Sequence, residues 1–253
     1  MTRVLLTQPR PRVERLAARL TARGHEVLAC PLRRLVGLGA EPGVREALGS
    51  LARHDWVIFV SPGSIEACAA LLPQPWPASV GIAVIGPGSA QALAEHSTIP
   101  PDVRLVQPSG PPFDGQALLS TAPFDAPADL GILVLAGETG RTDWIDELAR
   151  RGAHVERLAI YRSEAVAPAQ ETSSVLNRWA SEPDPVVFVF TTGEAVRELD
   201  ALVTGAGLGP WAHAQPALAP HPRIVSLLRE RQWVSAHLVE PGERALLAAI
   251  ESG

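Results

Sequence analysis

The chain repeats its own pattern once, and this duplication limits the folds it can adopt more than any other feature. Val4–Leu6 and the residues after it resemble Ile132–Val134 and its continuation, and Val60–Gly63 resembles Phe190–Gly193. Both matches are separated by about 130 residues, far above the period of a solenoid, so they indicate a duplicated domain and not a repeat array. The 253 residues are long enough for two such domains.

Short apolar runs predict the strands of both copies. The runs are continuous and do not alternate with polar residues, which is typical of buried parallel strands. A turn and then a helical pattern follow the runs; after Leu6, for example, Val13, Leu16 and Leu20 are spaced as one face of a helix. Strands that alternate with helices predict α/β units around mostly parallel sheets. The predicted strands are Val4–Leu6, Trp56–Val60, Ile82–Ile85, Ile132–Leu135, Val186–Phe190 and Pro216–Ala219.

Composition excludes several classes of chemistry. All 22 basic residues are arginines, so a Schiff-base lysine, a pyridoxal-phosphate enzyme and a Walker A loop are excluded. The formal net charge of −5 argues against general nucleic-acid binding, which needs a basic face. The cysteines and histidines show none of the spacings of a zinc site, so no metal is expected.

The sequence also predicts where the protein works. Cys30 and Cys68 are the only cysteines, and two thiols in a chain of this length fit a reducing compartment. The apolar run that ends at Leu6 is too short for a signal peptide. No stretch approaches the ~18 consecutive apolar residues of a membrane-spanning helix. We therefore expect a soluble, cytoplasmic protein that binds neither nucleic acid nor membrane.

The residues directly after the predicted strands are candidates for binding an anion. Ligands of open α/β sheets bind outside the carboxyl ends of the strands, where backbone N–H groups at helix N-termini attract negative groups. Most residues at these ends are small, hydroxyl-bearing or glycine, so a ligand with several carboxylates or phosphates fits them. The segments are Thr7–Arg10, Ser61–Ser64, Gly86–Ser89, Gly137–Arg141, Thr191–Gly193 and Pro220–Arg223.

Two of these hydroxyl residues have the pattern of helix caps. Ser61 precedes Pro62, and proline is favoured at the first position of a helix. Thr191 stands three residues before Glu194, which is the spacing of a capping box. For both residues a structural role as a cap and a role in binding remain open, because the N–H groups that follow a cap can still serve a ligand.

The other candidates also have structural alternatives. The Gly86–Gly88 pair lacks the third glycine of a dinucleotide fingerprint and is typical of a tight turn. Arginines at these ends can simply solvate a surface. Tyr161, the only tyrosine, can pack at a domain junction, and His221 between two prolines can form a turn.

Several of these segments occur together, in a fixed order along the whole chain. They are Val4–Pro9, Gly24–Val27 with Pro31 and Leu32, Asp55–Ser64, Val84–Ala90, Ile160–Arg162, Phe190–Gly193 and His221–Ile224. In this order and spacing they resemble the uroporphyrinogen-III synthase family. Each motif alone is short, but the resemblance covers nearly the whole sequence.

The resemblance implies an interleaved fold. Members of the family have two similar doubly wound parallel-sheet α/β domains that face each other across a cleft and are joined by a two-stranded linker. The bounds implied here are a discontinuous domain of 1–30 plus 168–253, an inserted domain of 37–157, and linkers at 31–36 and 158–167. Because the first βα unit then packs with the C-terminal half, Val4–Leu6 is expected in the same sheet as Val186–Phe190.

The resemblance also implies an activity. The family closes the linear tetrapyrrole hydroxymethylbilane into uroporphyrinogen III, with loss of water and inversion of ring D. Neither a cofactor nor a metal takes part. The substrate carries many carboxylates, which agrees with anion-binding strand ends. A transient contact with the preceding enzyme of the pathway is a further expectation.

Site residues follow from the same resemblance. Tyr161 occupies the position of the family's active-site tyrosine, and its phenol is expected to protonate the departing hydroxyl as a general acid. Positions that match motifs near the substrate's carboxylate arms are expected to bind substrate: Thr7, Arg10, Ser61, Gly63, Ser64, Gly86, Ser89, Thr191, Thr192, Gly193, His221 and Arg223. Pro220–Arg223 departs from the family, which often has Gly-Pro-Thr-Thr there, so a guanidinium replaces a hydroxyl.

Two other functions stay open on the sequence alone. A two-domain transferase with a nucleotide-sugar donor also has a cleft between doubly wound domains, but it needs an acidic residue for the ribose and a base pocket. The sequence offers no convincing candidate for either. A cytoplasmic two-lobed binding protein for an organic polyanion fits the strand ends as well. Turnover of hydroxymethylbilane separates the three, because only the synthase gives the type III isomer.

Overall fold

The computed structural model describes residues 1–96 and 102–252, which form two compact units. Unit 1 consists of Met1–Arg34 and Glu164–Gly253, and unit 2 is Leu35–Ser163. Unit 2 is therefore inserted into unit 1, and the chain passes between them twice. In the described residues, no helix is both long and apolar enough to cross a membrane.

Strands and helices alternate along most of the chain. The strands are β1 Arg3–Leu6, β2 Glu26–Ala29, β3 Arg33–Gly37, β4 Trp56–Phe59, β5 Gly81–Val84, β6 Leu105–Val106, β7 Gly131–Gly137, β8 His154–Ala165, β9 Val186–Val189, β10 Pro216–Ala219 and β11 Ser235–Leu238. The helices are α1 Arg12–Thr21, α2 Pro42–Gly49, α3 Pro62–Leu71, α4 Pro87–Ala94, α5 Gly115–Leu118, α6 Asp143–Arg150, α7 Gln170–Ala180, α8 Gly193–Gly205, α9 Gly209–His213, α10 Pro222–Glu230 and α11 Glu243–Ser252. A short 3₁₀ turn covers Leu51–Arg53.

Unit 1 is built on a parallel sheet with the strand order β11-β10-β9-β1-β2. Val4 of β1 lies opposite Val187 of β9, which confirms the expected sharing of one sheet by the first strand and the C-terminal half. Successive side chains point to opposite faces. Leu5 packs in a core with α8 and α10, whereas Val4 and Leu6 pack with α1 and α11. Helices therefore cover both faces of the sheet.

Unit 2 is built on a sheet with the order β3-β8-β7-β4-β5-β6. From β8 to β6 all neighbours are parallel. Val57 and Phe59 of β4 pack with α3, and Ile58 packs on the other face with α6. β3 lies beside β8, where Leu38 N donates to Ile160 O and Val166 N donates to Leu32 O. Residue numbers rise along one strand as they fall along the other, so this pair is antiparallel.

The five strands of the unit 1 sheet have the same order as five of the six strands of the unit 2 sheet, which confirms the duplication predicted from the sequence. Strands β4 to β8 of unit 2 correspond in order to β9, β10, β11, β1 and β2 of unit 1. The repeated sequence segments lie on equivalent strands of the two sheets, since Ile132–Val134 of β7 matches Val4–Leu6 of β1. In both sheets the strand order reverses at one point, between β4 and β7 in unit 2 and between β9 and β1 in unit 1. Such reversal points are where open α/β sheets bind ligands.

Candidate functional site

Tyr161 lies on β8 at the carboxyl edge of the unit 2 sheet, where a β-bulge sets its position. The register of β7 and β8 is regular up to Ala136 opposite Ala159, and then Gly137 lies opposite Tyr161. Ile160 is the additional residue, and its side chain is buried in the core. Bulges are frequent next to active sites because they re-aim a side chain. Here the bulge brings the half-buried phenol beside the end of β7.

The hydroxyl of Tyr161 forms a hydrogen bond with Ser61. The two oxygens are 3.1 Å apart although the residues are 100 positions apart in the chain. Ser61 follows β4, the strand at the reversal point of unit 2, and it is the N-cap of α3. The pair therefore joins the carboxyl end of β4 to the point where β8 stops pairing with β7, and the two strands lie on either side of β7.

A reciprocal capping box holds Ser61. The Ser61 hydroxyl accepts a bond of 3.1 Å from Ser64 N, and the Ser64 hydroxyl accepts one of 3.2 Å from Ser61 N. Ser64 Oγ also donates to Ser61 O at 2.7 Å. The cap predicted at Ser61, with Pro62 opening the helix, is confirmed. Ser64 is fully buried, so its side chain acts within the cap, and the geometry does not support contact between this hydroxyl and a ligand.

Two glycines pack against the ring of Tyr161. A Cβ atom on Gly137 would lie 3.0 Å from Cε2 and Cζ of the ring, and one on Gly63 would lie 3.6 Å from Cζ. A Cβ on Gly63 would also lie 2.5 Å from Leu35 Cδ1. Gly63 is one of the residues expected to bind substrate. The side of Gly63 on which a Cβ atom would lie instead faces protein side chains, because the phenol and Leu35 fill that space.

The second helix N-terminus of this edge belongs to α4. Gly86 is its N-cap and Pro87 its first residue. A Cβ on Gly88 would lie 3.9 Å from Pro62 Cγ, so α3 and α4 begin side by side. Gly86 packs against Phe113, and Ser89 is 4% exposed. Ser89 N donates to Gly86 O at 3.0 Å, so the backbone donor that this helix start leaves is the N–H of Gly88, which lies between the two predicted residues.

Thr7 lies at the reversal point of unit 1. Its side chain is 1% exposed, and its hydroxyl donates to Val189 O at 2.8 Å. The hydroxyl therefore ties the end of β1 to the end of β9 and is not directed at a ligand. Arg10, three residues further on, is exposed and forms an i,i+4 ion pair with Glu14 at 3.1 Å.

The start of α8 corrects one prediction. Thr192, not Thr191, is the N-cap, and its hydroxyl accepts from Ala195 N at 3.1 Å. Thr191 is one residue before the cap, so the Thr191–Glu194 capping box is wrong. A Cβ on Gly193 would lie 3.2 Å from Leu227 of α10, so this glycine also allows two helices to pack closely.

His221 and Arg223 lie at the start of α10. His221 is the N-cap, and its Nδ1 accepts from Arg223 N at 3.1 Å. This is the structural turn that was the alternative for His221. The Arg223 side chain is exposed. At this helix the imidazole has taken a backbone donor that a ligand could otherwise use.

Counting backbone donors shows what these edges can bind. The first N–H groups of a helix have no partner within it. Proline opens α3, α4 and α10 and removes one donor from each, and the caps take others. At the starts of α3, α4, α8 and α10, the donors that the caps leave are the N–H groups of Gly63, Gly88, Gly193 and Glu194. Both sheet edges can thus bind carboxylates through neutral backbone donors at positive helix ends.

Both cysteine thiols are buried and are not nucleophiles. Burial raises the pKa of Cys68 to about 12 and that of Cys30 to about 11, so both are protonated at neutral pH. Among residues 1–96 and 102–252, no group of three or more His, Cys, Asp or Glu is placed to hold a metal ion. At the unit 2 edge, the Tyr161 phenol is the group suited to donating a proton.

Three residues around Tyr161 were missed by the sequence prediction. Gly137 supports the ring, Leu35 lies beside Gly63, and Arg157 donates to Gly137 O at 2.6 Å. Gly137 was noted at a strand end, but nothing in the sequence distinguished it from other glycines. A glycine at the end of the strand next to the tyrosine strand is the signal that points to it once the strand order is known.

Comparison with known proteins identifies relatives of this arrangement. The family model described as Uroporphyrinogen-III synthase HemD matches residues 14–245. A uroporphyrinogen-III synthase of Salmonella typhimurium is 27% identical over 255 residues, which cover 98% of this chain and 99% of the relative. A mutant uroporphyrinogen III synthase from the extremely thermophilic bacterium Thermus thermophilus has a TM-score of 0.57 at 20% identity, covering 100% of this chain and 98% of that one. The uroporphyrinogen-III synthetase of Helicobacter pylori has a TM-score of 0.54 at 12% identity, with 100% and 99% covered.

Proposed function

The chain belongs to the uroporphyrinogen-III synthase family, and from this premise we propose how its two sheet edges carry out the reaction. It is a cyclising, lyase-type enzyme of tetrapyrrole biosynthesis. The substrate implied by that activity is hydroxymethylbilane, which loses water and closes with ring D inverted.

Tyr161 is the general acid in this proposal. Its phenol protonates the substrate's hydroxyl, the bond from that oxygen to carbon breaks, and the bonding electrons leave with water. The cation left on the substrate reacts within the same molecule, and the proton released when the pyrrole becomes aromatic again restores the phenol. The observation that carries this assignment is the position of the phenol, held by Ser61 at the reversal point of the unit 2 sheet.

The helix starts beside Tyr161 at the unit 2 edge bind carboxylate arms of the substrate, and the helix starts of unit 1 offer donors of the same kind. The donors are the N–H groups of Gly63, Gly88, Gly193 and Glu194. The exposed guanidiniums of Arg10 and Arg223 and the accessible hydroxyl of Thr191 are further candidates. Neutral donors suit this task in an acidic protein, because they attract carboxylates without adding formal charge. Holding the chain ends of a flexible substrate together accounts for much of the rate, as expected for a reaction within one molecule.

The setting of the enzyme is a further part of the proposal. The two buried cysteines are free thiols, which supports a reducing compartment such as the cytoplasm. An open-chain substrate that can close without help to the wrong isomer favours a transient contact with the enzyme that supplies it.

Replacing Tyr161 with Phe tests the acid role. The substitution removes the hydroxyl and keeps the ring against Gly137 and Gly63, so the fold should remain intact. One positioned acid contributes roughly 10²–10⁴-fold, and we expect a fall in kcat at the lower end because the hydroxyl of an electron-rich pyrrole leaves readily. The residual enzymatic product should still be type III, because the binding of the arms and not the phenol directs ring D.

The assay measures both isomers formed from freshly generated hydroxymethylbilane. Type I product from uncatalysed closure should rise as the enzyme slows. A well-folded Tyr161→Phe enzyme with undiminished kcat would end the acid role and leave the tyrosine as a packing residue. Absence of type III product from the unaltered chain would exclude the activity itself.

A further inference from the structure

The hydroxyl of Ser61 has one proton to give, and its surroundings determine where that proton goes. A serine hydroxyl donates once and accepts through two lone pairs. Ser61 Oγ already accepts from Ser64 N at 3.1 Å. Within the described part of the chain, the remaining hydrogen-bond partner of this oxygen is the Tyr161 hydroxyl, 3.1 Å away.

Two proton arrangements fit this distance. In one, Ser61 donates to the phenol oxygen, and the phenol keeps its own proton for another acceptor. In the other, Tyr161 donates to Ser61, both lone pairs of Ser61 are occupied, and the phenol has no proton left for a substrate. Only the first arrangement is compatible with an acid at Tyr161.

The start of α3 favours the first arrangement. An oxygen that accepts a hydrogen bond becomes a stronger donor, so bonds that run in one direction reinforce each other. The order Ser64 N–H to Ser61 O–H to Tyr161 O–H is such a chain, and it begins at the positive end of a helix of ten residues. In a chain running this way the phenol oxygen accepts from Ser61, so the phenol's own proton is left for another acceptor.

We propose that Ser61 is a positioning residue of the reaction: it donates its proton to the phenol oxygen of Tyr161 and so directs the phenol's own proton at the departing hydroxyl of the substrate. This rests on the acid role proposed above for Tyr161. It assigns Ser61 to the acid rather than to a carboxylate arm of the substrate. Ser64 acts one step further back, through its amide.

Kinetics of three variants separate this role from direct binding and from capping alone. Ser61→Ala should lower kcat roughly tenfold, the effect of one lost hydrogen bond, and leave KM unchanged. Ser61→Thr keeps the hydroxyl and a capping residue and should restore kcat. In Tyr161→Phe, adding Ser61→Ala should cost nothing further in kcat, because the group that Ser61 serves is gone.

A spectroscopic readout tests the direction of the bond in the folded protein without substrate. Tyr161 is the only tyrosine, so the tyrosine doublet in the Raman spectrum belongs to it alone. The doublet reports whether a phenol oxygen accepts or donates. We expect an accepting phenol that loses this signature in Ser61→Ala and keeps it in Ser61→Thr. Thr192→Ala removes a corresponding cap hydroxyl in unit 1 and should lower the melting temperature without changing the doublet.

The possible failures are distinct. Undiminished kcat in Tyr161→Phe removes the acid role and this inference with it. If Tyr161→Phe is slow but Ser61→Ala costs as much in that background as in the unaltered enzyme, the acid role stands and the inference is wrong. A rise in KM for Ser61→Ala, or a doublet typical of a phenol that donates to Ser61, also overturns the inference alone.

Discussion

Gly137→Ala should move the ring of Tyr161 with one added methyl group. The new Cβ would lie 3.0 Å from Cε2 and Cζ of the ring and 3.2 Å from the phenol oxygen. Carbon atoms in contact prefer about 3.5–4.0 Å, so the ring must retreat by about 0.5–1 Å. The three nearest atoms to that Cβ all belong to this ring and its hydroxyl, so the substitution acts first on Tyr161.

The retreat should affect the reaction more than the fold. A retreat of this size along the Ser61–Tyr161 line would take the 3.1 Å bond beyond the range of a hydrogen bond. A misplacement of about 1 Å at a reacting group can cost ~10²-fold, so we expect kcat to fall between about tenfold and a hundredfold. Overpacking costs about 1–3 kcal/mol, and the lower end applies because the ring is only half buried and has room to move.

Steady-state kinetics and thermal melting of matched variants test this. Gly131→Ala, at the other end of β7, places its Cβ 3.4 Å or more from its neighbours and should leave kcat unchanged. In Tyr161→Phe, Gly137→Ala should still lower the melting temperature, because the ring is still there, but should not lower kcat further. An unchanged kcat for Gly137→Ala alone, in a protein whose melting temperature falls, would refute the argument that ring position limits the rate.

Four other substitutions test the structural assignments. Thr7→Val removes a buried hydroxyl bonded to Val189 O and should cost about 1–3 kcal/mol of stability with KM unchanged; a changed KM in a stable variant would instead place Thr7 at the substrate. Thr192→Ala should cost about 1 kcal/mol of stability while Thr191→Ala costs little, and the reverse order by denaturant unfolding would contradict the observed cap. The hydrogen bond from Arg178 holds the pKa of Glu26 below its usual 4.5, so its stabilising contribution is complete above that value and is lost as the pH falls through the lower pKa of the folded state. Glu26→Gln should therefore flatten the acid side of the pH–stability curve, and an unchanged curve would show that the pair contributes nothing.

The buried strands of the fold could be predicted because strands that are buried on both faces consist of apolar residues. β1, β4, β5 and β9 are buried throughout, so each appears as a continuous apolar run. β2, β3, β6, β8 and β11 were not predicted, because no more than one residue of each strand is fully buried and the sequences of most of them mix polar with apolar residues. The pairing of β1 with β9 could be predicted only from the family resemblance, since no local pattern carries a contact between residues 182 or more positions apart.

The sequence predicts which polar residues follow the strands, but not what those residues contact. Hydroxyl residues after strands were correctly found, yet a hydroxyl that caps a helix and one that binds a ligand have the same local pattern. Ser64 and Thr7 proved to be buried, and only the structure shows which groups their hydroxyls contact. The Ser61–Tyr161 bond depends on the bulge at Gly137 and on a strand order that brings β4 and β8 to either side of β7.

The duplication explains why there are two similar sheet edges, and one strand explains why only the edge of unit 2 carries a tyrosine. In unit 1 the strand equivalent to β8 is β2, which has four residues and ends at Ala29. β8 has twelve residues, and its extension beyond the repeat carries Tyr161. In the proposed reaction a single hydroxyl leaves the substrate, and the single phenol of the chain suits the one bond that breaks.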